Sequence, residues 1–200
     1  MLILFFIYII EIMSKKLNYK IENQRIAKII SRSGAYSRRD AEKLIIDHRI
    51  KLNGELVLSP VTFVTSKDTI SIDDKVLSSE LTTKIWILNK PKGYITTSKD
   101  PQKRETVFSL VPKKINHLIP IGRLDINTEG LLLFTNNGDL SRFMEHPSSK
   151  LIRRYKIKAR GKIEQKLADQ ICGEIIIENI KYNVISASIL SYSLSNTWIQ

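Results

Sequence analysis

Residues 25–32 and 38–48 place apolar side chains at the spacing of amphipathic helices. In the first stretch the apolar residues fall at 26, 29 and 30, and Gly34 ends the pattern. In the second stretch, an S-x-x-D sequence beginning at Ser37 is a helix start signal, because its side chains satisfy free amides of the first turn. The buried face of this helix is expected to consist of Ala41, Leu44, Ile45 and His48. The pattern predicts two short helices joined by a glycine turn.

Short apolar runs separated by turn residues follow these helices. Asn53-Gly54 lies between two such runs and is the strongest short signal for a β-hairpin. Residues 69–76 have the same character and predict another strand pair with a tight turn. Two helices and a small sheet form one module over residues 23–77. A polar linker rich in serine and threonine, residues 78–84, then marks a domain boundary.

Residues 85–200 carry the pattern of a second domain with more strand than helix. Helical character is found before Pro147, at residues 164–172 and, more briefly, at residues 105–111. The predicted strands are 85–88, 117–121, 131–134, 151–159, 174–178 and 184–190. The chain is therefore predicted to be an α+β protein, with a small N-terminal helix-hairpin domain and a larger domain built on a mostly antiparallel sheet.

The chain is strongly basic, with 32 lysines and arginines against 20 acidic residues and a formal net charge of +12. This excess favours a polyanionic partner, because each phosphate that the protein neutralises releases counterions and adds affinity. A basic surface that only aids solubility is the alternative. Cys172 is the single cysteine, which excludes an intramolecular disulfide and a cysteine-rich zinc site and fits a reducing cytoplasm. The three histidines, at 48, 117 and 146, lack the spacing of metal ligands.

The first ten residues form an apolar run that Glu11 interrupts. The run is far shorter than the roughly 20 residues that a membrane-spanning helix needs. It also lacks the basic start and the small-residue cleavage site of a signal peptide. We therefore expect residues 1–22 to be an N-terminal extension, with translation starting at Met13 and no stable membrane association. A short interfacial anchor is the alternative.

A polar cluster lies between the apolar runs 117–121 and 131–134. Inside it, Asp125 follows Arg123 by two residues, where flanking buried strands can aim both side chains into a cleft. Positions 125, 127, 129 and 130 match the opening of a calcium-binding loop, but Asn136 stands where the closing carboxylate should be. A further interpretation is that Asp125 caps a turn through its own backbone and pairs with Arg123.

The cluster also resembles a known catalytic signature. The segment Gly122-Arg123-Leu124-Asp125-Ile126-Asn127-Thr128-Glu129-Gly130-Leu131-Leu132-Leu133 is similar to the signature of RNA pseudouridine synthases. It is most similar to the branch that modifies ribosomal RNA, and leans towards the large subunit. These enzymes cut the bond between uracil and ribose, rotate the base and rejoin it through carbon. The resemblance implies that Asp125 is the catalytic carboxylate and that the reaction uses no metal and no organic cofactor.

The same resemblance implies roles for residues around that segment. Tyr155 is expected to pack against the target uracil and to assist proton removal from carbon, with a core tyrosine as the alternative. Arg123 is expected to stack where the displaced base was and to bind phosphates. The sequence Asn89-Lys90-Pro91-Lys92-Gly93-Tyr94 opens the catalytic domain in this family. Its proline and glycine predict a loop that presents Lys90 and Lys92 to RNA.

Residues 24–76 resemble the S4-like RNA-binding domain, a small module first described in a protein of the small ribosomal subunit. The resemblance rests on the order of a helix, a glycine, Ser37-Arg38-Arg39-Asp40-Ala41-Glu42, a second helix, a strand and Asn53-Gly54. It implies RNA contacts from Arg32, Arg38, Arg39 and Lys51. Ordinary solvated charges are the alternative for all four. Tethering such a module raises the local concentration of the second domain near the same RNA.

In the family, a sequence similar to Asn196-Thr197-Trp198 leads into a strand and a basic loop that pairs with the catalytic aspartate. The printed chain stops at Gln200. We therefore expect a catalytic domain, residues 85–200, that is incomplete at its C-terminus, with a separately encoded C-terminal fragment as a candidate partner beside ribosomal RNA. The favoured function is isomerisation of a specific uridine in ribosomal RNA, in the cytoplasm. The alternatives are a catalytically inactive RNA-binding protein and a ribosome assembly factor.

Overall fold

The computed structural model describes residues 8–10, 23–78, 82–112 and 117–200. These residues fall into two units, Met1–Ser149 and Lys150–Gln200. The first unit contains the N-terminal module and a four-stranded sheet, and the second contains a three-stranded sheet and a hairpin. Across the described ranges, every helix is too short or too polar to span a membrane. The predicted α+β class with mostly antiparallel strands is confirmed.

The N-terminal module combines two short helices with two small antiparallel sheets. A strand that precedes it, β1 (Tyr8–Ile10), belongs to the four-stranded sheet instead. The elements of the module are β2 (Gln24–Arg25), α1 (Ile26–Arg32), α2 (Arg38–Ile46), β3 (Ile50–Leu52), β4 (Glu55–Leu56), β5 (Phe63–Val64), β6 (Ile70–Ile72) and β7 (Lys75–Val76). The strand order is β4-β3-β6-β7 in one sheet and β2-β5 in the other. Both predicted helices are confirmed, but α2 ends at Ile46. His48, expected on its buried face, has a φ of 56° beyond the helix end and is exposed.

Tight turns and a helix cap fix the shape of the module. Asn53 and Gly54 between β3 and β4 have φ values of 53° and 91°, and Asp73 and Asp74 between β6 and β7 have 49° and 62°. Positive φ at both central residues is typical of type I′ turns, so both predicted hairpins are confirmed. The Ser37 hydroxyl accepts the amide of Asp40 at the start of α2 and donates to its carboxylate. The hydrogen bond from the Ser37 hydroxyl to the carboxylate lowers the pKa of Asp40.

The four-stranded sheet of the first unit has the order β1-β8-β10-β9. Its further strands are β8 (Ile85–Lys90), β9 (Ile119–Ile121) and β10 (Gly130–Thr135), and helical segments of the same unit are η1 (Val107–Leu110), α3 (Gly138–Glu145) and η2 (Pro147–Ser149). In the antiparallel pairing of β8 and β10, Lys90 lies opposite Gly130 and Ile85 lies opposite Thr135. One core cluster covers the sheet and consists of Trp86, Leu88, Val107, Leu118, Leu132 and Phe134.

The second unit contains a three-stranded sheet of order β11-β15-β14 and a separate hairpin, β12–β13. Its elements are β11 (Ile157–Arg160), α4 (Gln165–Asp169), β12 (Gly173–Ile177), β13 (Ile180–Val184), β14 (Ile189–Ser193) and β15 (Asn196–Ile199). Buried Thr197 ties β15 to the turn after β11, because its hydroxyl donates to the Gly161 carbonyl and accepts the Ile163 amide. The core of this unit is small and centres on Ala168, Ala187 and Ile199.

The structure corrects three predicted boundaries in the second unit. The strand expected over residues 151–159 begins only at Ile157, because its partner β15 offers backbone groups opposite residues 157–160 alone. The strand expected over residues 184–190 is interrupted, since β13 ends at Val184 and β14 begins at Ile189. The helix expected over residues 164–172 is reduced to the single turn and a half of α4. Alternation in the sequence predicted that strands occur in these stretches but not how far their pairing extends.

Within the first unit, one buried side chain joins the N-terminal module and the linker to the four-stranded sheet. Asn136, which follows β10, is 8% exposed. Its Oδ1 accepts the backbone amide of Lys84 at 2.8 Å, and its Nδ2 donates to the carbonyls of Thr82 at 2.9 Å and Arg32 at 3.4 Å. The last of these carbonyls belongs to α1 of the module. Asn136 thus satisfies backbone groups that would otherwise lose hydrogen bonds on burial.

The residues on either side of Asn136 strengthen this junction. Asn137 caps α3 by accepting the amides of Asp139 and Leu140, and its Nδ2 donates to the Thr83 hydroxyl at 2.9 Å. An ion pair between Lys28 of α1 and Asp139 of α3, at 2.8 Å, adds a contact between the module and the sheet. The polar run after β10 therefore begins a helix and anchors the linker at the same time.

We expect Asn136→Ala to lower the free energy of unfolding by about 1–3 kcal/mol, because it leaves the buried amide and carbonyls of the linker without their partner. Urea denaturation followed by circular dichroism measures the change. Asn127→Ala, at an exposed position of the first unit, is the matched control and should stay within about 0.5 kcal/mol of the parent. Equal midpoints for the two variants would contradict the role given to Asn136.

Candidate active site

The loop between β9 and β10, residues 122–129, carries Asp125 and is closed by its own backbone. Gly122 and Gly130, at its two ends, have φ values of 78° and 128°, which side chains larger than hydrogen disfavour. The amide of Thr128 donates to the carbonyl of Asp125 at 3.0 Å, which forms a turn around residues 126 and 127. Asp125, at the start of this turn, is exposed.

The ammonium of Lys90 stabilises this loop through hydrogen bonds to its backbone. Its Nζ donates to the carbonyl oxygens of Pro91 at 3.1 Å, Asp125 at 2.9 Å and Thr128 at 2.7 Å. A lysine ammonium has three donors, and these three carbonyls satisfy all of them. The side chain is 0% exposed. Lys90 therefore fixes both ends of the turn that presents Asp125.

The position of Lys90 corrects an expectation from the sequence. The loop predicted around Pro91 and Gly93 begins two residues later than expected, because β8 continues beyond residue 88 to Lys90, whose side chain lies on the buried face of the sheet. Trp86 and Leu88 share that face. Burial lowers the pKa of Lys90, and the negative charge of Asp125 opposes that shift. The buried side chain has no surface to offer to RNA phosphates.

Two further residues of the segment after β8 bind the Asp125 loop through its backbone. The Thr96 hydroxyl donates to the carbonyl of Leu124 at 2.8 Å and accepts the amide of the same residue at 3.3 Å. The amide of Gly93 donates to the carbonyl of Ile126 at 2.8 Å. The Leu124 side chain packs against the core cluster of the sheet. The loop is thus anchored on both sides of Asp125, while the carboxylate has no hydrogen-bond partner among the described residues.

The other cations that the sequence singled out in the first unit have different environments. Arg123, within the Asp125 loop, and Lys92, which follows β8, are both exposed. Arg38 and Arg39 are exposed on α2, and Arg38 approaches Glu42 to 3.7 Å. Lys51 donates to Asp74 at 2.6 Å. Arg32 differs from its expected role, because the end of α1 is packed and leaves its side chain only 6% exposed.

Tyr155 belongs to the second unit, whereas Asp125 belongs to the first. Its side chain is 52% exposed, so it is not a core tyrosine of that unit. It lies in the irregular segment before β11 rather than within the strand. Among the described residues, no group of three or more histidine, cysteine, aspartate or glutamate side chains is placed to hold a metal ion.

Thr96, Gly93 and the buried Lys90 hold the backbone of the site in place. The sequence predicted no role for Thr96, and for Gly93 only that of forming a loop. One signal was available for Lys90. Positions 86, 88 and 90 alternate with more polar or exposed ones, so the period of the strand places Lys90 on the same face as Trp86 and Leu88. No comparable pattern marks Thr96, whose role depends on a loop that lies 28 residues further along the chain.

Comparison with known proteins identifies the family. The family described as RNA pseudouridylate synthase matches residues 84–196, and the S4 domain matches residues 24–70. An uncharacterized RNA pseudouridine synthase of Rickettsia bellii is 45% identical over 177 residues, which cover 88% of this chain and 76% of the relative. A protein of Aquifex aeolicus with the same description is 37% identical over 178 residues, with coverage of 88% and 71%.

Two more similarities are to a protein whose name specifies the ribosomal subunit and to a solved structure. The ribosomal large subunit pseudouridine synthase B of Pseudomonas aeruginosa is 35% identical over 161 residues, which cover 78% of this chain and 42% of the relative. A solved structure described as a crystal structure of pseudouridylate synthase is 23% identical, with a TM-score of 0.46 and coverage of 88% and 75%.

A synthase-family match over more than half of the chain, joined to an S4 domain, defines an RNA-binding isomerase that modifies uridine. The chain belongs to the RNA pseudouridylate synthase family. Its partner is accordingly RNA, as the basic composition predicted.

We expect Lys90→Met to lower the free energy of unfolding by about 1–3 kcal/mol, because methionine fills the space of the side chain but leaves three carbonyl oxygens without a donor. Urea denaturation measures the change. Lys92→Met removes a charge two residues away from an exposed position and serves as the matched control, with an effect within about 0.5 kcal/mol. The role of Lys90 would be refuted by two variants of equal stability.

Proposed function

We propose that this protein isomerises a uridine of ribosomal RNA to pseudouridine, with Asp125 as the catalytic carboxylate. The observation that carries the proposal is the exposed Asp125 side chain on a loop whose backbone is held by Lys90, Gly93 and Thr96. Fixing the backbone while leaving the carboxylate available is the arrangement that positions a reacting group.

Ribosomal RNA of the large subunit is the proposed substrate. The support is the similarity to proteins named ribosomal large subunit pseudouridine synthase B, at 35% identity in Pseudomonas aeruginosa and 41% in Xanthomonas axonopodis. We place the reaction in the cytoplasm, with residues 23–77 as the RNA-binding domain and 85–200 as the catalytic domain.

The proposed reaction conserves every atom of the substrate. The bond between N1 of uracil and C1′ of ribose breaks, the base rotates, and C5 forms a new bond to C1′. The proton that leaves C5 is balanced by a proton gained at N1. A single carboxylate suits this chemistry, because Asp125 can attack as a nucleophile or accept a proton from the sugar without any change of redox state.

Two residues complete the proposed site. Arg123, exposed and two residues before Asp125, would occupy the space of the displaced uridine and bind neighbouring phosphates. Removing a base from its stack costs a few kcal/mol, which such contacts offset. Tyr155 would pack against the uracil and assist loss of the C5 proton; its half-exposed side chain is available for that contact.

Recognition of the RNA is proposed to depend on exposed cations of the first unit. Arg38 and Arg39 on α2 and Lys92 after β8 meet this condition. Lys51 would have to exchange its ion pair with Asp74 for a phosphate. Exposed ion pairs contribute little to stability, so this exchange has a small cost.

Asp125→Asn is expected to reduce pseudouridine formation by a factor of about 10² to 10⁴ or more, because the amide is neither a nucleophile nor a base. The substrate is an unmodified large-subunit ribosomal RNA transcript, read by carbodiimide labelling and reverse transcription. Glu129→Gln, an exposed carboxylate of the same loop, is the matched control and should retain turnover within several-fold.

Two outcomes of that experiment would overturn the proposal. Turnover by the Asp125→Asn protein would remove Asp125 from the chemistry. RNA binding without any pseudouridine in the parent protein would favour the noncatalytic RNA-binding function, for which the S4 match at residues 24–70 is the supporting observation.

Arg123→Ala is expected to lower kcat/KM on a folded RNA by about tenfold or more, since the variant loses contacts that offset the few kcal/mol of base unstacking. On a short unstructured oligonucleotide with the same target uridine the loss should be much smaller. The two substrates act as each other's control on one protein preparation. Equal losses on both would assign Arg123 to general phosphate binding instead of base displacement.

A further inference from the structure

The three-stranded sheet of the second unit carries one aromatic side chain among cations. Trp198 of β15 lies directly opposite Lys158 of β11. The Nζ atoms of Lys156 and Lys158 lie 4.7 Å and 5.7 Å from the centroid of the Trp198 ring. Both lysines are exposed, and Trp198 is half-buried.

The cross-strand register shows what surrounds this tryptophan. Directly opposite residues of an antiparallel pair share a face, so Lys158, Trp198 and Ser191 form one row across the sheet. The next row on that face consists of Arg160, Asn196 and Ser193. The opposite face carries the core of the unit, including Ile199 and the partly buried Ala159 and Ile189. One face therefore builds the core, and the other offers an aromatic ring, three cations and small polar groups.

The segment that carries these lysines is entirely basic. Residues 150–163 contain seven lysines and arginines and no aspartate or glutamate. Among the described residues, neither Lys156 nor Lys158 has a carboxylate within ion-pair distance, whereas Lys181 of the same unit pairs with Glu174 at 2.6 Å. Two exposed lysines without a nearby carboxylate among the described residues, in a segment of this charge, favour a polyanion as ligand.

We propose that this face is a binding site for single-stranded RNA, in which a nucleobase stacks on Trp198 and flanking phosphates bind Lys156 and Lys158. Base stacking on an aromatic ring, combined with cations along the RNA backbone, is the general way in which proteins hold unpaired RNA. A duplex keeps its bases stacked on one another and presents no free base to the indole. The ligand is thus an unpaired stretch of the RNA that the enzyme modifies.

Lys156 and Lys158 have a different partner in each state of the site: the Trp198 ring without RNA, and phosphates when RNA is bound. Without RNA, a cation–π contact at an exposed position is weak, and it keeps the two ammonium groups beside the ring. Base stacking is the stronger interaction, so an incoming base can displace the ammonium groups towards the phosphates on either side of it. This site depends on RNA being the ligand of the chain and is independent of the role proposed for Asp125.

Intrinsic fluorescence tests the site directly, because the other tryptophan, Trp86, is only 7% exposed in the core of the first unit. The probe is a twelve-nucleotide oligouridylate, titrated into the full-length protein with the Asp125→Asn substitution so that turnover plays no part. We expect quenching of the Trp198 emission, and its loss in Trp198→Phe. A duplex of the same length should quench far less.

The lysines are tested by the salt dependence of binding to the same oligouridylate. Each phosphate contact contributes about 0.7 to the slope of log affinity against log salt for a single strand, so the double variant Lys156→Gln/Lys158→Gln should lose about 1.4. Lys166→Gln/Lys181→Gln removes the same charge from exposed positions of the same unit and should leave the slope nearly unchanged. Exposed lysines are safe to replace, and circular dichroism verifies that each variant is folded.

Three results would overturn the proposal. One is an unchanged Trp198 emission at RNA concentrations that saturate binding. Another is equal loss of slope in the two double-lysine variants, which would show that only overall charge matters. The third is equal quenching by single-stranded and duplex RNA, which would exclude base stacking.

Discussion

The buried ammonium of Lys90 is the interaction on which the candidate active site depends. A buried cation is costly unless its hydrogen bonds are satisfied, and here three backbone carbonyls satisfy them. Two of these carbonyls belong to Asp125 and Thr128, so the cation orders the loop without pairing with the carboxylate itself. The pairing of Lys90 with Gly130 in the sheet fixes where the ammonium lies. The register of β8 and β10 therefore also determines the conformation of the Asp125 loop.

The strand β10 connects the Asp125 loop to the rest of the first unit. Its first residue, Gly130, ends the Asp125 loop, and the residues after its last, Asn136 and Asn137, bind the linker and cap α3. Six extended residues span about 17 Å. In both places a buried polar side chain satisfies the backbone of a distant segment. The RNA-binding module and the Asp125 loop are thus attached to opposite ends of one short strand.

Local sequence patterns predicted most of the helices and strands. The features that they did not predict depend on contacts between residues far apart in the chain. Helix spacing and the Ser37 cap gave α1 and α2, and Asn53-Gly54 gave its hairpin, because those signals act within a few residues. The roles of Lys90 and Asn136 depend on partners 35 to 104 residues away in the chain. Turn-forming neighbours suggested an exposed Lys90, and only the alternation of β8 opposed that interpretation.

Exposed cations in both units bear on the free energy that the proposed reaction requires. Taking a uridine out of its stack costs a few kcal/mol before any bond changes, and a single exposed carboxylate contributes nothing to that step. The binding energy must come from elsewhere, through phosphate contacts that release counterions. Exposed cations are found on α2 of the first unit and along residues 150–162 of the second. The proposed reaction therefore needs RNA contacts well beyond the loop that carries Asp125, and the basic composition of the chain favours such contacts.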